Sequence, residues 1–475
     1  MHSHILPRTT SSILAAAIAV SLISQTGTLV SAASGVAVNE KNFPDKGFRA
    51  LVSEEFDKDK NKTLSSKEIS DAKQIRISGE ESDIKDLTGI GYLTSLTYLN
   101  VYKCEFDSID LSKNTKLEYC SISGETLTSI NLGSINSLTG LHLYQTNITT
   151  LDVTKLTKLQ KLTARSPRLT KLDISHNRDL RELDILCLNG TGKIKELDVS
   201  NNPKLEKAWF YISVLDSLTA VSGQKFESTP LGGNPNPTWT SSDPSVVKAD
   251  IGTAKNSFGA PGTKLLFEAK KAGNAVLTED WTTWKASCKV RVLYKDVTNT
   301  ENFWYEPTYC LSDKDVVKGY DKQTKFKPAN DCTRAQMVTF LWRLKGSPKP
   351  KIKTTAFKDI KKTDYFYNAV LWAVDKGITT GVSKTKFAPS KVCTRAQTVT
   401  FLWRMAGTPE PQSAKNKFKD IKAKDYFYKP VLWASEQKIV AGYKDGTFKP
   451  QGKCLRRQMV TFLYKYDKYI NIKSK

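Results

Sequence analysis

The sequence has few of the residues that support catalysis or transition-metal binding. It contains 4 histidines and 8 cysteines among 475 residues, and no Cys-x-x-Cys pair, which argues against a structural zinc site. The Gly-x-Ser-x-Gly and His-Glu-x-x-His motifs of hydrolases and zinc proteases are missing. Beyond residue 32 only His142 and His176 remain; both are isolated, and we assign them no role. No later segment approaches the roughly 20 apolar residues of a membrane span.

The first 32 residues have the pattern of a secretory signal peptide. Arg8 precedes an apolar run from Ile13 to Ile23, and Val30-Ser31-Ala32 supplies small residues for cleavage after Ala32. We therefore expect an exported protein that is not embedded in a membrane.

The positive charge is unevenly distributed. The formal net charge is +24, and the chain from Asp296 onward has 36 Lys and Arg against 16 Asp and Glu, a balance of +20. This asymmetry predicts an anionic partner for the C-terminal part; the alternative is a charged surface that only aids solubility. A nucleic-acid partner has no supporting motif, and export argues against it.

A calcium-loop pattern lies within a predicted helical segment, residues 33–80. Oxygen-bearing residues stand at loop positions 1, 3, 5, 7 and 12, as the hard Ca²⁺ ion requires. The pattern resembles an EF-hand or dockerin-type loop, but Lys62 stands where glycine usually makes a left-handed turn. Strain of about 1 kcal/mol and the added charge predict weak affinity; the alternative is an ion-free turn between helices. The predicted ligands are Asp57, Asp59, Asn61, Thr63 and Glu68.

Residues 81–214 repeat with a period of 21 residues, counted between Leu96, Leu117, Leu138, Leu159 and Leu180. Each leucine begins a pattern like Leu138-x-x-Leu141-x-Leu143, and a second short strand follows. The pattern resembles a leucine-rich repeat solenoid of the short type found on Gram-positive surface proteins. That resemblance implies an α/β or β-rich coil with a concave face that binds a protein or glycan; the alternative is a spacer. Predicted short strands lie at 109–111, 130–132, 151–153, 172–174 and 197–199, and Asn114, Asn177 and Asn202 follow where an asparagine ladder would satisfy turn backbones.

Residues 215–293 change to short alternating strands separated by glycine and proline, which predicts a β-sandwich. The segment Trp239-Thr-Ser-Ser-Asp-Pro-Ser-Val246 resembles a bacterial Ig-like domain of group 2. Such a domain usually serves as a stalk or spacer.

The most regular stretch occurs three times near the C-terminus. It begins Cys332-Thr-Arg-Ala-Gln, Cys393-Thr-Arg-Ala-Gln and Cys454-Leu-Arg-Arg-Gln, with 61 residues from one copy to the next (332, 393, 454). Each copy follows an acidic turn, an aromatic-rich helix and a glycine loop that ends in Phe-x-Pro.

This pattern resembles S-layer homology domains, at residues 294–354, 355–415 and 416–475. The resemblance implies an all-α, pseudo-threefold triple module. It also implies binding to anionic, often pyruvylated, secondary cell-wall polysaccharide attached to peptidoglycan.

The repeated arginine has no obvious structural reason. Thr333 and Gln336 form a predicted capping box, and Arg334 then occupies the first helical position, where the helix dipole disfavours a cation by about 0.3–1 kcal/mol. A bound carboxylate, held by the guanidinium and free helix N–H groups together, would compensate. The alternative is structural pairing with the acidic turns, for example with Asp359. The predicted polymer-binding residues are Arg334, Arg395, Arg456, Asp296, Asp359, Asp420, Trp372, Trp433, Gly319, Gly381 and Gly442.

The repeats are not identical, so we expect one or two of the grooves to hold most of the affinity. The first has Cys310 where the others have Trp372 and Trp433, whose alternative role is core packing. Equivalent cysteines such as Cys332 and Cys393 are not expected to face one another, which predicts buried free thiols.

Taken together, the sequence predicts a non-catalytic bacterial cell-surface protein. Its C-terminal repeats would attach to the wall polymer, and its solenoid would be displayed as an adhesin-like or S-layer-associated binding surface. No stretch of unassigned sequence remains for a catalytic domain. The alternative is a wall-anchored enzyme with a catalytic site that the sequence does not reveal.

Overall fold

A computed structural model describes most of the chain beyond residue 34. The described ranges are 35–79, 83–103, 105–185, 194–210, 215–228, 238–255, 261–280, 285–413 and 415–473. The predicted signal peptide, residues 1–32, lies outside them. Within these ranges no helix is long and apolar enough to cross a membrane.

The strands and helices are numbered in chain order. The strands are β1 (Val36–Ala37), β2 (Thr63–Leu64), β3 (Gln74–Ser78), β4 (Tyr98–Tyr102), β5 (Ser108–Asp110), β6 (Tyr119–Ser123), β7 (Ser129–Asn131), β8 (Gly140–Tyr144), β9 (Lys161–Ala164), β10 (Glu182–Asp184), β11 (Glu196–Asp198), β12 (Lys207–Trp209), β13 (Ser217–Val221), β14 (Lys225–Ser228), β15 (Thr238–Ser241), β16 (Val247–Lys255), β17 (Pro261–Ala269), β18 (Gly273–Asp280) and β19 (Lys285–Leu293). The helices are α1 (Lys46–Glu55), α2 (Ser66–Asp71), α3 (Tyr305–Asp313), α4 (Arg334–Leu344), α5 (Tyr367–Asp375), α6 (Arg395–Met405), α7 (Tyr428–Glu436) and α8 (Arg456–Lys473).

Two short helices enclose the predicted calcium loop. Helix α1 begins after Asp45, whose carboxylate accepts a hydrogen bond from the Phe48 N–H at 2.7 Å. Helix α2 begins at a capping box formed by Ser65 and Glu68. The buried Phe48 ring belongs to the same hydrophobic core as the first leucine repeats, so this segment covers one end of the coil.

The leucine repeats form a parallel β-coil. Ten strands make one sheet in the order β16-β17-β14-β12-β10-β9-β8-β6-β4-β3, and every neighbouring pair from β3 to β14 is parallel. The five leucines that set the 21-residue period are all completely buried, because the inner side of each turn stacks on the next. The predicted repeat solenoid is confirmed.

The second row of short strands is only partly present. β5, β7 and β11 form at the predicted places, and β5 pairs with β7 in parallel. The strands predicted at 151–153 and 172–174 are wrong, since no ladder forms there. Leu151 and Val153 are buried all the same, so the leucine pattern reports burial in the coil rather than β pairing.

Buried amides hold the turns of the coil together, as predicted. Asn114 Nδ2 donates to the carbonyl oxygens of Ile90 and Leu93, both at 3.0 Å. Asn177 and Asn202 make the same paired bonds to the preceding turns. Gln224 continues the row one turn further. Each amide satisfies two carbonyls that would otherwise be buried without a partner.

The strands of residues 215–293 extend both sheets of the coil. β14 joins the ten-stranded sheet beside β12, and β17 and β16 follow it in antiparallel order; β13, β19, β18 and β15 form a second sheet with β11. One core runs from Val38 to Val292, so it is not interrupted at 80/81 or 214/215, where the sequence predicts domain boundaries. The group 2 Ig-like assignment stays a prediction.

The three C-terminal repeats share a second, helical core that includes Leu293 and Tyr466. Helices α4 and α6 begin at complete capping boxes, as predicted from Thr333 and Thr394. In the third repeat Leu455 has no hydroxyl, and only the Gln458 half of the box remains. Helices α4 and α6 end before glycines in the left-handed conformation, Gly346 and Gly407.

The β region joins the helical region without a linker. β19 ends at Leu293, and Tyr294 is already completely buried in the helical core. Arg291 pairs with Asp313 at 2.8 Å and stacks on Tyr309. The Ala272 N–H donates to the Gln323 carbonyl at 2.9 Å. The two regions are therefore connected by paired backbone and side-chain contacts.

Candidate functional site

The Cys-Thr-Arg-Ala-Gln stretches of the three repeats meet in a closed ring. The Cys332 N–H donates to the Cys454 carbonyl (2.9 Å), Cys393 donates to Cys332 (2.8 Å), and Cys454 donates to Cys393 (2.9 Å). Each repeat thus contacts the other two, and the third closes back on the first.

The prediction that the equivalent cysteines do not face one another is wrong. The ring brings them together at its centre, close enough for Cys393 to raise the pKa of both Cys332 and Cys454. All three are buried free thiols, as predicted. Burial raises the pKa of Cys393 to about 11 and that of Cys454 to about 12. These thiols are therefore unreactive core residues.

Each repeated arginine reaches into the next repeat of the ring. Arg334, Arg395 and Arg456 are 3%, 3% and 2% exposed. Their Nε atoms donate to the carbonyls of Phe387 (2.9 Å), Phe448 (2.8 Å) and Phe326 (2.9 Å). Each guanidinium also lies 4.3–4.9 Å from the ring centroid of that same phenylalanine. We call these three places the Arg334, Arg395 and Arg456 junctions.

The helix N–H groups that were expected to be free are already bonded. The Arg334 N–H donates to Lys391 O at 2.9 Å, and the Ala335 N–H donates to Pro389 O at 3.0 Å. The Gln336 N–H donates to the Thr333 hydroxyl. This part of the prediction is wrong, because ring closure places carbonyls of the next repeat at the helix start. An anion at this junction would therefore find none of these three N–H groups free to bind it.

The repeated aspartates position the junctions from within the fold. Asp359 accepts hydrogen bonds from the Phe387 and Ala388 N–H groups at 2.9 and 2.7 Å. This pair of bonds holds Ala388 at φ +58° and fixes the Phe387 carbonyl that accepts from Arg334. Both oxygens of each aspartate serve backbone N–H groups, and the proposed pairing with the arginine is not what the structure shows. Asp296 and Asp420 make the equivalent bonds.

Five further predicted residues serve packing. Trp372 and Trp433 are 4% and 1% exposed and belong to the helical core, which matches their alternative role in core packing; their part in polymer binding stays a prediction. A Cβ at Gly319, Gly381 or Gly442 would overlap the ring of Tyr294, Phe357 or Phe418 respectively. These glycines are required for close packing of loop on ring.

The arginine charges have no carboxylate partner. Among the described ion pairs none includes Arg334, Arg395 or Arg456, and within the described ranges Arg334 Nη2 has no hydrogen-bond partner at all. Burial lowers the pKa of all three guanidinium groups, although arginine stays protonated in proteins. A buried cation without a counter-charge is costly. The nearest counter-charges are the aspartates of the acidic turns, which raise the arginine pKa values from beyond ion-pair distance. No carboxylate therefore contacts the guanidinium groups directly.

Exposed aromatic residues beside the junctions were missed by the sequence reasoning. Tyr365 and Tyr426 are 63% and 60% exposed and lie 61 residues apart (365 to 426), each two residues before the equivalent helices α5 and α7. Partial desolvation raises the pKa of the half-exposed Tyr426 phenol, and the nearby charges of Arg334 and Arg404 oppose that shift. Arg343 and Arg456 act on Tyr365 in the same way. The sequence signal that could have indicated this exposed position is the aromatic residue that all three repeats share there, Phe303 in the first repeat.

Three of the five predicted calcium ligands lie close together. Asp57, Asp59 and Glu68 each place one carboxylate oxygen within 4.8 Å of the others. Asp57 is completely buried. Lys62 adopts the left-handed conformation, φ +61°, which the loop pattern requires at this position. Hard oxygen donors in this arrangement fit Ca²⁺.

Comparison with known proteins identifies the three repeats. The model of the S-layer homology domain matches residues 293–338, 356–399 and 417–460. A cellulosome-anchoring protein of Acetivibrio thermocellus is 29% identical over 31% of this chain and 34% of its own length. An S-layer protein of Bacillus thuringiensis subsp. finitimus is 31% identical over 24% of this chain and 14% of its own length. An endoglucanase of Bacillus sp. strain KSM-635 is 33% identical over 24% of this chain and 12% of its own length.

The chain thus spans about a third or less of the length of these curated relatives. The functional domain of InlJ from Listeria monocytogenes matches 55% of this chain and 99% of its own, at 14% identity and a TM-score of 0.19. At that score the likeness supports no further conclusion. The three S-layer homology domains indicate a location at the bacterial cell surface, in contact with the cell wall.

Proposed function

We propose, from the three S-layer homology domains that this chain carries, that the junctions anchor it to anionic secondary cell-wall polysaccharide. The observation that carries the proposal is the set of three buried guanidinium groups with no carboxylate partner. A carboxylate on the polymer, such as the pyruvate ketal that the family resemblance implies, would supply the missing charge. The closed ring supports a triple module that acts as one unit.

The three junctions are chemically unequal. At the Arg456 junction the guanidinium lies 4.7 Å from the Tyr320 ring centroid, and Tyr365 and Arg343 are near. The Arg395 junction has the equivalent Tyr443 at 4.9 Å. At the Arg334 junction the same repeat position is Val382. We therefore propose that the Arg456 junction, with two cations and two tyrosines, holds the largest share of the affinity.

The proposed protein is a non-catalytic display protein. Its solenoid would present the outer face of the ten-stranded sheet to a protein or glycan. The endoglucanase relative shows that S-layer homology domains also occur in enzymes, so an enzyme remains the second candidate. A hydrolysis assay on the purified chain with wall and plant polysaccharides separates the two.

Sacculus binding tests the anchoring proposal. Full-length chain should co-sediment with purified wall sacculi, and raising the salt from about 0.1 M to 1 M should release it, because the screening length falls from about 10 to 3 Å. Sacculi chemically stripped of secondary polymer serve as the matched control. Undiminished binding to stripped sacculi would show that peptidoglycan itself is the ligand.

We also propose that the loop from Asp57 to Glu68 binds Ca²⁺. The convergence of three carboxylates on one point favours it. Replacing Lys62 with glycine removes the strained residue and a positive charge beside the ion, so the rise in melting temperature caused by Ca²⁺ over chelator should become larger. Differential scanning calorimetry of the wild type and of Lys62→Gly, each with Ca²⁺ and with chelator, measures this rise in melting temperature.

Lys438→Gly is the matched control for this test. Lys438 is exposed at φ +56° in the third C-terminal repeat, so the same substitution relieves similar strain far from the loop. It should raise the melting temperature equally with Ca²⁺ and with chelator. If the wild type and Lys62→Gly each melt at the same temperature with Ca²⁺ as with chelator, the loop does not bind the ion.

A further inference from the structure

The outer face of the ten-stranded sheet is divided into two parts of different chemistry. Along β3, β4, β6 and β8 the outward residues include four tyrosines and a histidine, and Arg76 is the one residue among them with a formal charge. We call this part the tyrosine face. Further along, β9 and β10 carry charged residues that are paired across the strands: Lys161 pairs with Glu182, and Arg165, just after β9, pairs with Asp184.

The rings of the tyrosine face form a continuous row. Tyr98 and Tyr119 stack at 4.9 Å with an interplanar angle of 7°, and His142 follows Tyr119 at 5.2 Å. Arg76 covers the free end of the row, 4.7 Å from the Tyr98 ring centroid. Gly140 leaves room for the row, because a Cβ there would lie 3.2 Å from Tyr119 and 3.4 Å from His142. The row is ordered before any ligand arrives, which lowers the entropy cost of binding.

The chemistry of this face favours an uncharged, hydroxylated ligand. Phenol, hydroxyl and amide groups both donate and accept hydrogen bonds. Tyr102 is 51% exposed, and Lys103 Nζ lies 5.4 Å from its ring centroid. A charged ligand would lose hydration here. The cations that contact the face lie over its outer rings, namely Arg76, Lys103 and Arg165. Arg165 is already paired with Asp184. Desolvation also lowers the pKa of His142, so its ring is neutral at neutral pH.

The size of the face argues for a small ligand. Four strands spaced by about 4.8 Å and side chains spread over five residues cover roughly 14 by 13 Å, or about 200 Å². A stable protein interface takes about 800 Å² from each partner. A protein would have to extend over the neighbouring strands, whose charges are already paired. A short saccharide fits within the tyrosine face.

We infer that the tyrosine face binds a short, neutral oligosaccharide. The inference rests on the proposed display role of the solenoid and names the ligand class for it. Tyr102 stacks on the sugar ring, and the hydroxyl and amide groups of neighbouring residues such as Asn100 and Tyr119 bond its hydroxyls. The paired charges beyond β8 form the border of the site.

Calorimetric titration of the full-length chain tests this inference. The probes are four neutral tetrasaccharides, namely cellotetraose, xylotetraose, mannotetraose and tetra-N-acetylchitotetraose. At least one should bind with a Kd of about 0.1–1 mM. Tyr102→Ala should weaken that binding about tenfold, and Tyr119→Phe, which keeps the stack and removes one hydroxyl, should weaken it about threefold. Lys207→Ala, an exposed residue in the charged part of the same face, should bind as the wild type does.

Failure of all four tetrasaccharides to bind the wild type would overturn the inference, as would unchanged binding by both tyrosine variants. A protein ligand that is lost with Tyr102→Ala, without any saccharide binding, would overturn it too. The test is independent of wall anchoring. The tyrosine variants should still co-sediment with sacculi, and a junction variant that no longer sediments should still bind the saccharide.

Discussion

Wall binding is expected to fall about tenfold when Arg456 is replaced by lysine, and to background when Arg334 and Arg395 are replaced by lysine as well. Lysine keeps the charge and the aliphatic stem but cannot form the paired hydrogen bonds of a guanidinium with a carboxylate. Breaking one buried charge pair costs about 2–5 kcal/mol in binding, and three junctions share the polymer. Co-sedimentation of full-length chain with sacculi, titrated by protein concentration, measures the change.

Alanine would be a poorer choice than lysine at these positions. The Nε of Arg456 bonds the Phe326 carbonyl, and removing a hydrogen bond to a charged group costs about 1.5–3 kcal/mol of stability. Arg457→Lys is the matched control, since Arg457 is the next residue of the same helix and lies against Trp304 instead. Wild-type sedimentation of the triple lysine variant would mean that the guanidinium groups are purely structural.

The second large effect is expected from removing the third repeat. A chain that ends at residue 415 leaves the Cys332 N–H without its acceptor and takes α8 away from α3. It also removes the Phe448 carbonyl that accepts from Arg395. Each buried unsatisfied group costs about 1–3 kcal/mol, against a total stability of about 5–15 kcal/mol. The two remaining repeats should lose cooperative unfolding in a calorimetric scan.

The solenoid serves as the internal control, because its own core should keep its transition in the shortened chain. Lys453→Ala is the matched point variant. Lys453 joins the third repeat to the first only through a surface ion pair with Asp331, so its loss should cost less than about 1 kcal/mol. Retention of the transition of the first two repeats would show that each repeat folds independently.

The sequence was most informative where structure depends on neighbours in the chain. The 21-residue leucine period predicts the coil because burial recurs once per turn. Thr333 and Gln336, three residues apart, predict the capping box at which a helix begins. The course of the arginine was not predictable in this way. Arg456 Nε meets the carbonyl of Phe326, 130 residues earlier, and no local pattern contains that distance. The same closure explains why the cysteines meet and why the helix N–H groups are occupied.

Burial was the other property that the sequence left open. Trp372 lies on an apolar helix that a single sequence cannot orient, and the structure turns that indole into the core. The exposed aromatic position is instead Tyr365, seven residues earlier. The sequence of such a helix shows which residues are apolar. The packing of the three repeats against one another determines which of them face outward.

The ring has a mechanical consequence for a protein held at a surface. A pull on the solenoid enters the first repeat through β19 and Tyr294, and that repeat is clasped by both of its neighbours. Helix α8 of the third repeat returns to α3, with Lys314 paired to Asp467 across the seam. The load is therefore shared by the contacts of the first repeat with the second and with the third. The repeats should unfold together under force and not one after another.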